Sequence, residues 1–173
     1  MTRRGDPLEN PEELVRRVYA FVAYRLGDGP DAEDATSETF ARALRYRDSY
    51  RREKGEPIAW LIGIARHVII EQVVRPAEIP DPEPLAVELE DAWVRRLDLM
   101  RAVAALEPRD RELMGLRYGA DLTARQIGTL LDIRTNTIEV ALHRVLARLR
   151  VLVAAEAPVE GGSRPGRAGE DAL

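Results

Sequence analysis

Residues 76–90 (PAEIPDPEPLAVELE) place the strongest limit on how this chain can fold, with four prolines, five acidic residues and no basic one. Proline has no backbone N–H and a fixed φ, so it cannot sit inside a helix without breaking it. Repelling like charges extend such a segment further. The segment therefore breaks the chain into two helical units. The segment reads as a flexible linker between an N-terminal unit (8–75) and a C-terminal unit (91–155). The last stretch, 156–173, is rich in Gly, lacks apolar periodicity and is expected to be a disordered tail.

Both units carry helical periodicity and no strand signal, which makes the fold class all-α: two small helical domains on a Pro-rich acidic linker. From Pro11 to Leu26, the residues Leu14, Val18, Phe21, Val22 and Leu26 recur at helical spacing. A second helix is predicted from about Asp31 to Tyr46, with Asp31, Glu33 and Asp34 in a first turn where the helix dipole favours acids. A third runs from about Pro57 to Val74. It is so apolar that burial is expected nearly all round, leaving the strip Arg66, His67, Glu71 and Arg75 as its wet side. In the second unit, Asp91–Leu106 would bury Trp93, Leu97, Met100 and Val103. Pro108 to about Tyr118 opens on a proline and is closed by Gly119. Thr123–Leu131 opens with a Thr123/Gln126 capping box. Asp132, Ile133 and Arg134 make a short turn before a long helix from Thr135 to about Ala155.

Composition removes several classes of function. The chain has no cysteine, so disulfides, thiolate metal sites and cysteine nucleophiles are absent. Its two histidines, His67 and His143, are far apart in sequence, so neither a metal nor another cofactor is expected. No nucleophile–base pair or phosphate-binding glycine loop is visible, so an enzyme is the weakest reading. No apolar run reaches the ~20 residues of a membrane span, and Met1–Asn10 lacks a signal-peptide core. No membrane partner is expected, and the location should be the cytoplasm. Net charge is −4, yet the acidity is concentrated in the linker and tail, while residues 91–153 hold 11 basic against 8 acidic side chains. Among the 26 basic residues only Lys54 is a lysine, and arginine suits phosphate and base-edge contacts.

Three surfaces carry candidate chemistry. The short helix, three-residue turn and long helix of the second unit form a helix-turn-helix. Its base-reading residues would be Arg134, Thr135, Asn136, Thr137, Glu139 and Val140, with Arg144 and Arg148 reaching the DNA backbone. In the first unit, loop 47–56 combines Tyr50 with Arg51, Arg52 and Lys54, a charge-plus-stacking set suited to unpaired bases. Taken alone it reads first as a solvated loop. Asp34, Glu38, Arg42 and Arg45 form a charged stripe on the second helix, which alone reads first as a solvated face with a Glu38–Arg42 pair.

The order of these segments resembles the extracytoplasmic-function sigma factors of bacterial RNA polymerase. Asp31-Ala-Glu-Asp34 followed by Glu38 and Phe40 is similar to that family's polymerase-binding helix. Trp60-Leu61, Ile64-Ala65-Arg66 and Arg75 are similar to its −10 helix. Leu106-Glu-Pro-Arg109, Arg111-Glu112, Leu116-Arg117-Tyr118, Ile127, Thr137-Ile138 and Arg144–Arg150 resemble its −35 domain. The resemblance, over about residues 12–152, implies a promoter-specificity subunit. Asp34, Glu38, Phe40 and Arg42 would dock on the polymerase clamp helices. Tyr50, Arg51, Arg52, Lys54, Arg66, His67, Glu71 and Arg75 would hold the −10 element, the loop capturing a flipped base. Arg134, Thr135, Asn136, Thr137, Glu139, Val140 and Arg144 would read the −35 element. Promoter DNA and core polymerase are the implied partners, and the resemblance also admits an anti-sigma factor. The linker would let the two units span separated elements, or close on each other when free. Gln126 and Gly128 depart from the usual Glu and Ala, and Glu139 and Ala141 stand where basic residues are usual. The alternatives are a helix-turn-helix regulator that binds operator DNA without polymerase, and a protein–protein module that reads promoters poorly.

Overall fold

The computed structural model describes residues 6–74 and 99–156. The predicted linker 76–90, Arg75, Trp93, Leu97 and the tail after Glu156 lie outside the described residues. Those described contain helices and turns and no strand.

In the first unit three helices pack together: α1 (Pro11–Leu26), α2 (Pro30–Arg45) and α3 (Pro57–Val74). α1 starts on Pro11 with Glu12 and Glu13 in its first turn, and buries Leu14, Val18, Phe21 and Val22. α2 buries a face of small residues, Ala32, Ala35, Thr36, Thr39 and Ala43. The two buried hydroxyls are satisfied locally. Thr36 Oγ1 donates to Ala32 O and Thr39 Oγ1 to Ala35 O, each at 2.7 Å, so neither costs the desolvation of an unpaired polar group. α3 buries Ile58, Leu61, Ile62, Ala65, Val68 and Ile69. Its burial is less complete than its composition predicts, because Ile70 and Val73 are 58% and 69% exposed. The polar strip is therefore not the helix's only wet side. No described element covers that end of α3.

The second unit contains the described part of α4 (99–104), then α5 (Pro108–Met114), α6 (Ala124–Leu131) and α7 (Thr135–Glu156). α5 is shorter than its periodicity predicts. From Gly115 to Gly119 the backbone widens into a π-helical turn, with Ala120 N donating to Gly115 O at 2.8 Å and Leu122 N to Leu116 O at 3.0 Å. Wide turns of this kind re-aim one face of a helix. Here the turn carries Gly115 and Gly119 against α1. A Cβ on Gly119 would lie 2.7 Å from Phe21 N and 2.8 Å from Ala20 C.

The two units are not separate bodies, as the sequence alone suggests. Phe21 of α1 and Leu116 of the π turn are both fully buried, and the apolar residues of the two units form one continuous cluster. Polar contacts rim this junction. Arg17 donates from Nε (2.9 Å) and Nη2 (2.7 Å) to Ala120 O, and Arg25 Nη1 donates to Pro108 O at 2.8 Å.

The helix-turn-helix is held by local sequence. Thr123 N donates to Gln126 Oε1 at 2.8 Å, and Gln126 N returns a bond to Thr123 Oγ1 at 3.2 Å, completing the predicted capping box. Gln126 thus does the work of the usual Glu. Asp132 ends α6 in the left-handed region at φ +55°, a conformation short Asp side chains tolerate. Ile133 N then donates to Gly128 O at 2.9 Å. A Cβ on Gly128 would sit 2.6 Å from Ile133 O, so this turn is too tight for the usual alanine. We predict that Gly128→Ala lowers stability by about 1–3 kcal/mol, the cost of overpacking, measured as a lower urea midpoint at unchanged m-value.

Candidate nucleic-acid interface

The start of α7 is laid open. Arg134, Thr135, Asn136, Thr137, Glu139, Val140 and Arg144 are all exposed, while Ile138, Leu142, Val145 and Leu149 are buried. The apolar side anchors the helix, and the opposite side presents amide, hydroxyl and guanidinium groups that match major-groove edges and phosphates. Glu139 shares that surface as a carboxylate. Arg148 is committed elsewhere, in an ion pair with Asp110 of α5.

In the first unit the structure rearranges the predicted set. Tyr50 was expected to offer a stacking face, but it is only 8% exposed. Its hydroxyl donates to Gly55 O at 3.0 Å, and its ring tilts against Trp60 with centroids 5.5 Å apart. Burial pushes its hydroxyl pKa above the usual tyrosine value. Tyr50 therefore pins loop 47–56 onto α3 and has no face free for a base. The exposed aromatic beside that loop is Tyr46, 57% exposed at the end of α2. Nothing in residue spacing distinguishes the two tyrosines. Arg52 and Lys54 are exposed. Arg51 turns back on the loop, with Nη1 donating to Asp48 O at 2.6 Å and Tyr50 O at 3.1 Å.

On α3, His67 is exposed, with Nδ1 2.8 Å from Gly63 O. A carbonyl only accepts, so Nδ1 carries the proton and Nε2 is the remaining ring nitrogen. Arg66 is drawn to the second unit, with Nε 2.7 Å from Glu112 Oε1. Glu71, expected with the −10 set, instead binds Arg42 of the charged stripe on α2. Arg42 Nη1 and Nη2 donate to its two oxygens at 2.9 and 2.6 Å, and Arg42 Nε donates to Glu38 Oε1 at 2.6 Å. The carboxylates of Glu71 and then Glu38 raise the Arg42 pKa above the usual guanidinium value. The bidentate pair fixes the guanidinium plane, joining α2 to α3. Asp34 is exposed on the same face, and Phe40 is half-buried against the core. Phe40 is thus partly a packing residue.

These elements define a two-unit, all-helical protein whose second unit is a helix-turn-helix. Residues 12–77 match the family model for sigma-70 region 2, and residues 96–149 match that for sigma-70 region 4. The chain belongs to the extracytoplasmic-function sigma factors. It is 29% identical over 147 residues to the ECF RNA polymerase sigma factor BldN of Streptomyces coelicolor, covering 79% of this chain and 56% of that one. It is 32% identical over 169 residues to SigE of Mycolicibacterium smegmatis, covering 84% and 63%. The match thus spans less than two thirds of these two relatives' length. SigL of Mycobacterium tuberculosis is 28% identical over 149 residues, covering 81% of this chain and 84% of its own. Among solved structures, the fold is similar to the sigma factor RpoE in its complex with the anti-sigma factor NepR from Bartonella quintana. That likeness has a TM-score of 0.62 at 19% identity, covering 83% of this chain and 93% of that one. It is also similar to CnrH in complex with the cytosolic domain of CnrY, with a TM-score of 0.59 at 17% identity, covering 85% and 84%.

If Tyr50 is a packing residue, Tyr50→Ala lowers unfolding free energy by about 3–5 kcal/mol, in the range of buried aromatic truncation. Tyr46→Ala stays within about 0.5 kcal/mol of wild type. Urea titrations of both variants make the comparison.

Proposed function

We propose that this protein is a promoter-specificity subunit: it binds core RNA polymerase, carries it to particular promoters and helps open the −10 element. The observation that carries this reading is the occurrence in one chain, in order, of a region-2 unit and a region-4 unit. An operator-binding regulator needs only the second.

The N-terminal unit, 8–75, takes the polymerase and −10 roles. Asp34, Glu38 and Arg42 face the clamp helices, with Glu71 holding the Arg42 guanidinium in place. Arg52, Lys54, His67 and Arg66, once released from Glu112, contact DNA around the −10 element, with Tyr46 as the aromatic available to an unpaired base. The C-terminal unit, 91–155, reads the −35 element through Arg134, Thr135, Asn136, Thr137, Val140 and Arg144. Glu139 weakens phosphate attraction there and can accept from cytosine N4. Binding energy opens the duplex, and no catalytic group on this chain is required. Unstacking a base costs a few kcal/mol, which aromatic stacking and arginine contacts offset. The protein works in the cytoplasm beside polymerase. An anti-sigma factor is a further partner, supported by the fold shared with two sigma factors solved in such complexes. Among the described residues no helix is long and apolar enough to cross a membrane.

Run-off transcription with purified core polymerase on pooled genomic promoter fragments tests the reading. Discrete start sites that appear only when the protein is added are expected. Duplex binding by the protein alone at physiological salt, with no transcript, would favour the operator-binding regulator. A companion substitution, Glu139→Arg, should tighten binding to −35 duplex. It should also steepen the log–log salt dependence by about one unit, as expected for one added phosphate contact.

A further inference from the structure

A cavity of about 330 Å³ opens between α1, α4 and α5. None of the residues assigned above to polymerase or DNA lines it. It exists because the surrounding helices carry small side chains there. Ala20 and Ala23 lie three apart on one side of α1, Gly27 follows the end of that helix, and Ala104 lines the wall from α4. Met100 and Val103 of α4, both partly buried, make the rest of that wall apolar. The volume is at the lower end of the roughly 300–1,000 Å³ of ligand pockets, so the space suits a small molecule.

Apolar walls exclude water but do not choose a ligand. The polar groups do. Arg111 of α5 lines the cavity, and its Nε is shielded from water and meets no acceptor among the described residues. Buried donors are almost always paired, and the edge of a guanidinium matches the two oxygens of a carboxylate. Arg16, exposed on α1, adds a second guanidinium to the lining. The carboxylate among the described lining residues is Asp28, which accepts a hydrogen bond from the Tyr19 hydroxyl. Two cations against one anion leave the site positive. Tyr24 also lines the cavity. Burial first, and then the neighbouring Tyr118, raise its hydroxyl pKa above the usual tyrosine value, so it stays a neutral O–H donor.

We propose that this cavity binds a small amphipathic monoanion, a single carboxylate on an apolar body. The body fills the space over Ala20, Ala23, Met100 and Val103. The carboxylate takes the Nε edge of Arg111, with Arg16 beside it. Because Nε is shielded from water, the guanidinium turns slightly toward the cavity to meet the ligand. The site is independent of the promoter-specificity reading, since binding to it is measured without polymerase or DNA.

Calorimetric titration of the full-length protein with octanoate and, separately, with 2-naphthoate tests the site. Saturable one-to-one binding of at least one is expected, with a Kd of about 1 mM or tighter, ordinary for ligands this small. Binding of octanoate alone assigns a fatty carboxylate, and binding of 2-naphthoate alone an aromatic one. Binding of both assigns a site that reads the carboxylate and accepts either body. The neutral counterparts, 1-octanol and 2-naphthol, should bind more weakly by about tenfold or more. Arg111→Met keeps most of the side chain's length and removes the guanidinium. It should weaken carboxylate binding by about tenfold, the loss expected for one charge-assisted pair, and leave the neutral counterpart's affinity unchanged. Ala23→Phe fills the cavity and should abolish binding of both.

Absence of saturable binding by either carboxylate overturns the proposal, including the case in which residues of this chain outside the described ones already fill the space. Equal affinity for a carboxylate and its neutral counterpart overturns it too. So does an Arg111→Met protein that binds the carboxylate as tightly as wild type. If Ala23→Phe does not fold, the Arg111→Met comparison decides alone.

Discussion

The structure depends on one close approach, the π turn of Gly115–Gly119 lying on α1 at Phe21. Phe21 has no solvent exposure. It is part of α1, which builds the three-helix unit, and it touches the backbone of the helix-turn-helix unit. A side chain buried from both sides couples two parts that each have a modest core, and small cores are marginal on their own. The glycines are what make this possible. A methyl at Gly119 would meet backbone atoms, which cannot rotate aside, whereas a clash with a flexible side-chain end could relax. The interface is therefore set by backbone shape first and by Arg17, Arg25 and Glu112 second.

Helical periodicity reveals most of the local architecture. α1 and α3 begin and end where apolar spacing, Pro11 and Pro57 place them, and the capping box at Thr123 and Gln126 forms as written. These features are legible because each is decided within one turn or one helix face. The exposed face of α7 is legible for the same reason: burying Ile138, Leu142, Val145 and Leu149 forces Arg134, Asn136, Thr137 and Glu139 outward. What sequence cannot show is any contact decided between elements. Tyr50 sits in a polar loop and looks available, yet Trp60 and Gly55 O bury it. Glu71 lies on the same helical strip as His67, yet its carboxylate is turned to Arg42 across the groove between α2 and α3. Gly119 reads only as the end of a helix, and its role, with that of Gly115, appears only where α1 passes over them.

The Glu38–Arg42–Glu71 chain changes how the first unit's two faces relate. Two carboxylates, one from each helix, share the Arg42 guanidinium, each bond charge-assisted. Exposed ion pairs contribute little to stability, with a median of about 0–1 kcal/mol, so stability is a weak reason for the arrangement. Orientation is a stronger one. An arginine clamped by two carboxylates presents a fixed surface beside Asp34, where a lone arginine would sample many rotamers. It also ties the charged stripe on α2 to α3, so displacement of one helix is felt by the other.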